Sequence, residues 1–310
     1  MTIGASPPRS VTVRVGAKVN CELKVGPRRA DGFHELSTVF MAVGLYDEVT
    51  VSQAETWEVA TTGPYATDVP AGIDNLALRA ARLLARHAQV TDPQVRIRID
   101  KDIPVAGGLA GGSADAAAAL LACDHLWGLR LEREELSELA AELGSDVPFV
   151  LAGGVAIGSG RGERLAPVLA QGTFHWVLAT STEGLATADV YAEYDRLDQA
   201  SESLTPTAEL MTALRGGDAE ALAAVLSNDL QDAAVSLRPE LATVLSAGLD
   251  FGALGGIVSG SGPTVAFLTR SSEHALDLCV ALAASGVAPE TKRARGPVSG
   301  AHVVATPTRD

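Results

Sequence analysis

Cysteine is scarce in this chain, with three among 310 residues, at positions 21, 123 and 279. Cys21, Cys123 and Cys279 lie far apart and form no Cys-x-x-Cys pair. A zinc ribbon and a disulfide framework are therefore excluded as the basis of the fold, and buried thiols of a cytoplasmic protein are expected. Basic residues are also few: 24 Lys and Arg stand against 38 Asp and Glu, for a formal net charge of −14. A general nucleic-acid binder, or a protein held on an anionic membrane, needs a basic footprint, so neither partner is expected. No apolar run approaches the length of a membrane span, and Met1–Ser10 lacks the apolar core of a signal peptide. Two common phosphate loops are missing as well. No lysine lies between Ile103 and Arg130, which rules out a P-loop there. Gly107, Gly108, Gly111 and Gly112 do not have the Gly-x-Gly-x-x-Gly spacing of a dinucleotide fold.

What is present is a soluble-protein composition, 47% hydrophobic and 20% charged, long enough for two domains. Alternating apolar residues predict strands at Val11–Val15, Glu48–Val51, Glu58–Thr61 and Val95–Ile99. Helical spacing predicts Asn75–His87, capped by Asp74, then Ser113–Trp127 and Glu132–Leu143, the last ended by Gly144. Gly153–Ile157 reads as a returning strand. After a pause at Ala166–Gly172, the strand Phe174–Leu178 opens a half rich in helices, at Ala208–Leu214, Ala219–Leu226, Pro239–Ala247 and Glu273–Ala284. Strands at Val265–Leu268 and His302–Ala305 complete it. The elements interleave without a strict βαβ rhythm, which predicts α+β layers divided near residue 168, with domains 1–168 and 169–310.

Four segments carry chemistry. Pro104-Val105-Ala106-Gly107-Gly108-Leu109-Ala110-Gly111-Gly112-Ser113-Ala114 leaves a bare backbone ahead of a helix, with Ser113 as its expected N-cap. Such a loop closes amides on an anion and adds the positive end of the helix dipole; phosphate suits it best. By itself it is nearly as well explained as a packing turn. Lys18 and Asn20, two apart on a strand, share one face: a mobile charge beside an orienting amide. Asp146, in Gly144-Ser145-Asp146-Val147-Pro148, can accept a proton from a hydroxyl or merely cap a short helix. Ser259-Gly260-Ser261-Gly262-Pro263-Thr264 offers backbone and hydroxyl donors before a strand, or only a turn that starts it.

Taken together these segments resemble the motifs of the GHMP kinases, in the right order, over nearly the whole chain. The resemblance implies a two-domain α+β fold. Its N-terminal domain is an α/β domain of a ribosomal-protein type, its C-terminal domain is ferredoxin-like, and the active site lies in the cleft between them. It implies ATP as cosubstrate, bound by residues 104–114 with Asn75 and Lys101 near the nucleoside, and Mg2+ with Ser113 as a ligand. It implies catalysis by Lys18 and Asp146. Gly26-Pro27-Arg28-Arg29-Ala30-Asp31-Gly32-Phe33-His34 resembles the cytidine-binding signature of one branch, whose acceptor is a cytidine diphosphate-linked methylerythritol. In that branch Phe33 would stack on the base, His34 would hydrogen-bond its edge through ring and backbone, and Tyr191 would supply the opposite face. Asn20, Ser261 and Gly262 would also meet this acceptor, and the enzyme would be a monomer or homodimer. A kinase for another small alcohol, or a silent nucleotide sensor, are the alternatives. Two positions depart from the family loop. Ala110 replaces a glycine, and so implies that no left-handed backbone is needed there. Ala114 replaces a serine, leaving Ser113 as the nearby hydroxyl.

Overall fold

The structure, a computed structural model, describes residues 10–201 and 203–304. Its first half runs β1 (Ser10–Arg28), β2 (His34–Gln53), β3 (Glu58–Thr62), α1 (Leu76–His87), β4 (Val95–Asp100), α2 (Gly111–Trp127), α3 (Arg133–Leu143), α4 (Val147–Ala152), β5 (Val155–Gly160) and β6 (Arg164–Pro167). The second half runs β7 (Phe174–Thr180), α5 (Thr187–Leu197), α6 (Ala208–Gly216), α7 (Ala219–Ala223), β8 (Ser227–Asn228), α8 (Gln231–Leu237), α9 (Glu240–Asp250), β9 (Gly255–Val258), β10 (Val265–Thr269), α10 (Ser272–Ser285), β11 (Glu290–Gly296) and β12 (His302–Val303). Ala305, the expected end of the last strand, lies outside the described residues.

The long strands β1 and β2 build the first sheet. Past Val15, β1 alternates Ala17, Val19, Cys21 and Leu23 with Lys18, Asn20 and Glu22, and every one of these residues is buried. One face therefore serves the core and the other a polar interior. Register shifts in the β1–β2 pairing fall between Gly16 and Ala17 and between Asn20 and Glu22, bracketing Lys18 and Asn20. Bulges of this kind re-aim side chains. The sheet has eight strands: β12-β1-β2-β4-β3 form its path, β5 and β6 extend from β2, and β8 joins β1. The second sheet, β11-β7-β10-β9, is antiparallel throughout. Counted among the four strands of this sheet, that order is last, first, third, second, with helices in the two crossings, which is the ferredoxin-like arrangement the resemblance implied.

Helix α2 is largely buried and rich in alanine. Ala116, Ala117, Ala118 and Ala119 are completely buried, and the helix packs on α1, α4, β1 and β2. Alanine keeps the helix close to the sheet, and so brings its N-terminus up to β1. Helix α1 is capped by Asn75, whose side chain accepts from the N–H of Leu78, and not by the expected Asp74. Gly144 ends α3 in an extended conformation, φ 168, so no left-handed cap forms there. Several elements carry little pattern of their own. The strand β11 (Glu-Thr-Lys-Arg-Ala-Arg-Gly) is polar and exists because all seven residues pair with β7. The helix α5 starts at Ala186 without a capping side chain. Among the described residues no helix is long and apolar enough to cross a membrane.

Candidate active site

A cavity of about 1010 Å³ opens between the two halves. Its wall takes Lys18 and Asn20 from β1, Val105–Gly108 and Ala110–Ser113 from the glycine loop, Asp146 before α4, Tyr191 on α5, and Gly260 and Ser261 before β10. The four segments singled out in the sequence thus converge, although they span more than two hundred residues of chain. Pro104, Leu109, Ala114 and Gly262 stand behind this wall and brace it.

Backbone bonds lock the loop to its neighbours. The N–H of Lys18 donates to Leu109 O at 3.2 Å, and the N–H of Thr264 donates to Gly107 O at 3.3 Å. The Ser259 hydroxyl donates to Gly108 O at 3.0 Å. Helix α2 starts two residues earlier than its pattern suggested: Ala110 occupies the N-cap position, and no side chain caps the first turn. Ser113 is therefore the third helical residue and not the cap. The uncapped amides of the first turn face the cavity with the positive end of the dipole, which makes an anion site. Ala110 corrects a second expectation, since its φ is 62, in the left-handed region. The position does require a conformation that favours glycine, and the alanine bears a strain of about 1 kcal/mol. Ala110→Gly should raise the melting temperature by about 2 °C without loss of turnover; a lower melting temperature in calorimetry would count against this.

Lys18 is buried, and its Nζ donates to Asn20 Oδ1 at 2.7 Å. Asn20 Nδ2 donates to Thr38 Oγ1 at 2.8 Å, and that hydroxyl donates to Glu22 O at 2.7 Å. Asn20, expected on the acceptor, spends both ends of its amide aiming Lys18. Lys18 Nζ stands 3.8 Å from Asp146 Oδ2. An oxygen beside the pair, off the line that joins them, lies within hydrogen-bond reach of both. Burial pulls the Lys18 ammonium below the ordinary lysine range, and Asp146 opposes that pull. Asp146 precedes α4 but its side chain caps nothing, and it remains partly open to the cavity.

At the far end of the cavity Phe33 is 52% exposed, with the Arg161 guanidinium 5.0 Å over its ring. Both ring nitrogens of His34 already face protein: Nδ1 is 2.8 Å from Gly26 O and Nε2 is 3.3 Å from Asp195 Oδ1. The ring is thus held from the protein side through Nδ1, with Asp195 facing Nε2. Tyr191 stacks on His34, ring centroids 5.2 Å apart.

Lys101 is the clearest correction. It is wholly buried beneath the loop, 2.5 Å from Asp47 and 2.9 Å from Asp115, and does not line the cavity. Asn75 lines it while capping α1. The wall carries both signs of charge: Lys18, Arg28 and Arg161 share it with Asp74, Asp115, Glu142, Asp146 and Asp195. Arg161, Asp195 and Asp115 were missed in the sequence. Arg161 sits in a Gly-Arg-Gly turn and Asp195 on an unrecognised helix, and neither has a local pattern that marks it.

Comparison with known proteins agrees with this arrangement. Residues 75–154 match the GHMP kinases N terminal domain, and residues 210–288 match the GHMP kinases C terminal domain. The fold and site define a kinase of small molecules, and the chain belongs to the GHMP kinase family. Its relatives within that family include the 4-diphosphocytidyl-2-C-methyl-D-erythritol kinase of Streptomyces avermitilis, 56% identical over 298 residues, which are 95% of this chain and 100% of that one. The enzyme of that name from Mycobacterium tuberculosis is 53% identical over 304 residues, 97% of this chain and 95% of the relative. Among solved structures, a 4-(cytidine 5'-diphospho)-2C-methyl-D-erythritol kinase superposes with a TM-score of 0.76 at 34% identity, covering 92% of this chain and 98% of the other. A homoserine kinase from Cytophaga hutchinsonii shares the fold at TM-score 0.74 and 20% identity.

Proposed function

We propose that the chain transfers the γ-phosphoryl group of ATP to the 2-hydroxyl of 4-(cytidine 5'-diphospho)-2-C-methyl-D-erythritol, a step of non-mevalonate isoprenoid precursor synthesis in the cytoplasm. The observation that carries this reading is the pairing of Lys18 and Asp146, 3.8 Å apart at the cavity wall, with the uncapped α2 amides on one side and the Phe33–His34 segment on the other.

In this reading the amides of residues 107–113 hold the ATP phosphates. Phosphoryl transfer passes through a loose transition state, so positioning and charge stabilisation outweigh base strength. Lys18 sits between the transferring group and the acceptor oxygen and stabilises the charge that develops there. Asp146 orients the hydroxyl and takes its proton as the oxygen–phosphorus bond forms. The Ser113 hydroxyl would be the protein group to hold a magnesium ion carried by the nucleotide. Such an ion would offset phosphate charge in a cleft whose own lining is acidic.

Phe33 presents an exposed face for the cytosine ring, and the backbone of His34 reads its edge. An acceptor without a cytidine would leave this end of the cavity without a task. Coupled ADP release should therefore appear with ATP and the cytidyl methylerythritol and stay at background with homoserine. Turnover of homoserine in place of the cytidyl substrate would overturn the assignment. Phe33→Ala should raise KM for the cytidyl acceptor about 10-fold, given ~1–3 kcal/mol per stacked base, with KM for ATP unchanged.

A further inference from the structure

Beneath the glycine loop lies a buried charged cluster that the transfer chemistry does not use. Lys101 Nζ lies 2.5 Å from Asp47 Oδ2, 2.9 Å from Asp115 Oδ2 and 2.9 Å from Gly111 O. The ammonium donates to Asp47 and to Gly111 O, and Asp115 faces it as an ion-pair partner. The other oxygen of Asp47 accepts from the N–H groups of Asp102, at 2.7 Å, and Ile103, at 2.9 Å. Asp47 thus grips the chain where the loop begins. Lys101 grips it at Gly111, where the loop becomes helix, and Asp115, in the second turn of α2, fixes the direction of Lys101. The second half of the chain ties the same start point from outside, because Lys292 on β11 holds Asp102 at 2.6 Å.

We propose that Asp47, Lys101 and Asp115 are positioning residues for the phosphate loop, a buckle that joins its two ends and holds its amides ready for the nucleotide. Stability alone does not account for them. A buried ammonium flanked by two buried carboxyl groups is costly to desolvate, and well-packed apolar residues in their place are often neutral or stabilising. Attraction for a polyanion does not account for them either. The cluster sets two carboxyl groups against one ammonium, and a lysine without them would serve that purpose better. What the two carboxyl groups add is a fixed direction for Nζ and two anchored amides. A glycine-rich loop has much conformational freedom to lose when it closes on a ligand, and a preformed loop has lost it before binding.

This proposal rests on reading the loop as the ATP phosphate site, and its test separates the two. Calorimetric titration would give the Kd of ADP and of CDP independently for the full chain and three variants. One oxygen of Asp115 has no hydrogen-bond partner. Asp115→Asn therefore keeps an acceptor for Lys101, whereas Asp115→Leu removes it. Lys101→Met and Asp115→Leu should weaken ADP about 10-fold or more, and Asp115→Asn should stay within about threefold of wild type. CDP affinity should stay within about twofold in all of them, because its end of the cavity does not touch the buckle. ADP and CDP lost in parallel, or ADP retained by Lys101→Met, would overturn the positioning role. Should Lys101→Met fail to fold, the contrast between Asp115→Leu and Asp115→Asn decides the same point. A wild-type chain that binds CDP but not ADP would instead overturn the reading of the loop.

Discussion

Lys18→Met should reduce turnover by about a thousandfold while leaving the protein at least as stable as wild type. The loss follows from where the charge sits. Lys18 Nζ is aimed by Asn20 and stands 3.8 Å from Asp146, which on the proposed mechanism makes it a preorganised cation at the point where charge develops. Removing one preorganised donor of this kind costs on the order of 10²–10³ in rate, and the loss of a full charge lies at the upper end. Asp146→Asn should cost as much, since the amide still orients a hydroxyl but takes no proton from it. Either variant turning over near the wild-type rate would remove that residue from the mechanism. The stability half of the expectation has the opposite sign. Burial lowers the pKa of Lys18 below its unfolded value, so near neutral pH the folded state holds a proton at a cost. That cost is relieved only as pH rises from the lowered value towards the ordinary lysine value, because across this window the unfolded chain binds more protons and stability climbs with pH. Methionine removes the buried charge altogether, so a thermal melt should show a midpoint equal to or above that of wild type. The same lowered pKa places the alkaline fall of kcat/KM below the ordinary lysine range. Lys18→Arg, if any activity remains, should push that limb upward.

Much of this site was legible because its chemistry is concentrated in short contiguous runs. Lys18 and Asn20 share a face by strand periodicity alone, and the amide-rich loop ahead of an alanine helix could be read as an anion site without coordinates. The motif order then supplied what spacing could not, namely that Asp146 and the Ser259–Thr264 turn meet the same cavity. What escaped is what depends on tertiary pairing. Lys101 reads as a surface charge or a nucleoside contact, because nothing near it in sequence shows that Asp47 and Asp115 arrive on either side of it. His34 reads as a base-recognition ring because Asp195, which faces its Nε2, lies on a helix with no capping side chain to mark its start. Ala110 was misjudged for a different reason. Absence of glycine was taken to mean absence of left-handed backbone, whereas a tightly bonded loop can impose φ 62 on an alanine at modest cost.

Gly108→Ala should be the most damaging single-methyl change in the loop, because two independent penalties coincide there. Its φ is +76, where an L side chain is strained by about 1–2 kcal/mol. A Cβ at this position would also lie 2.0 Å from Ser259 O, 3.0 Å from Gly262 O and 3.1 Å from Gly262 N. These are backbone atoms, so no rotamer change relieves the contact, and the turn before β10 must move away from the loop. That movement breaks the bond from the Ser259 hydroxyl to Gly108 O and strains the one from the Thr264 N–H to Gly107 O. It also displaces Gly260, whose own Cβ position lies 3.0 Å from Lys18 Nζ, so the Lys18 ammonium loses its wall. Overpacking adds about 1–3 kcal/mol to the strain, and together they should lower the melting temperature by roughly 5–15 °C. ADP affinity should fall by about 100-fold or more, since loop and turn no longer close on one another. Gly112→Ala is the control within the same run. Its nearest neighbour would be Leu76 Cδ1 at 3.4 Å, an ordinary contact, and the position is helical. That variant should melt at or slightly above the wild-type temperature. Equal melting temperatures for the two variants, or a Gly108→Ala protein that binds ADP as wild type does, would show that the loop and the third motif are not the single rigid unit their bonds describe.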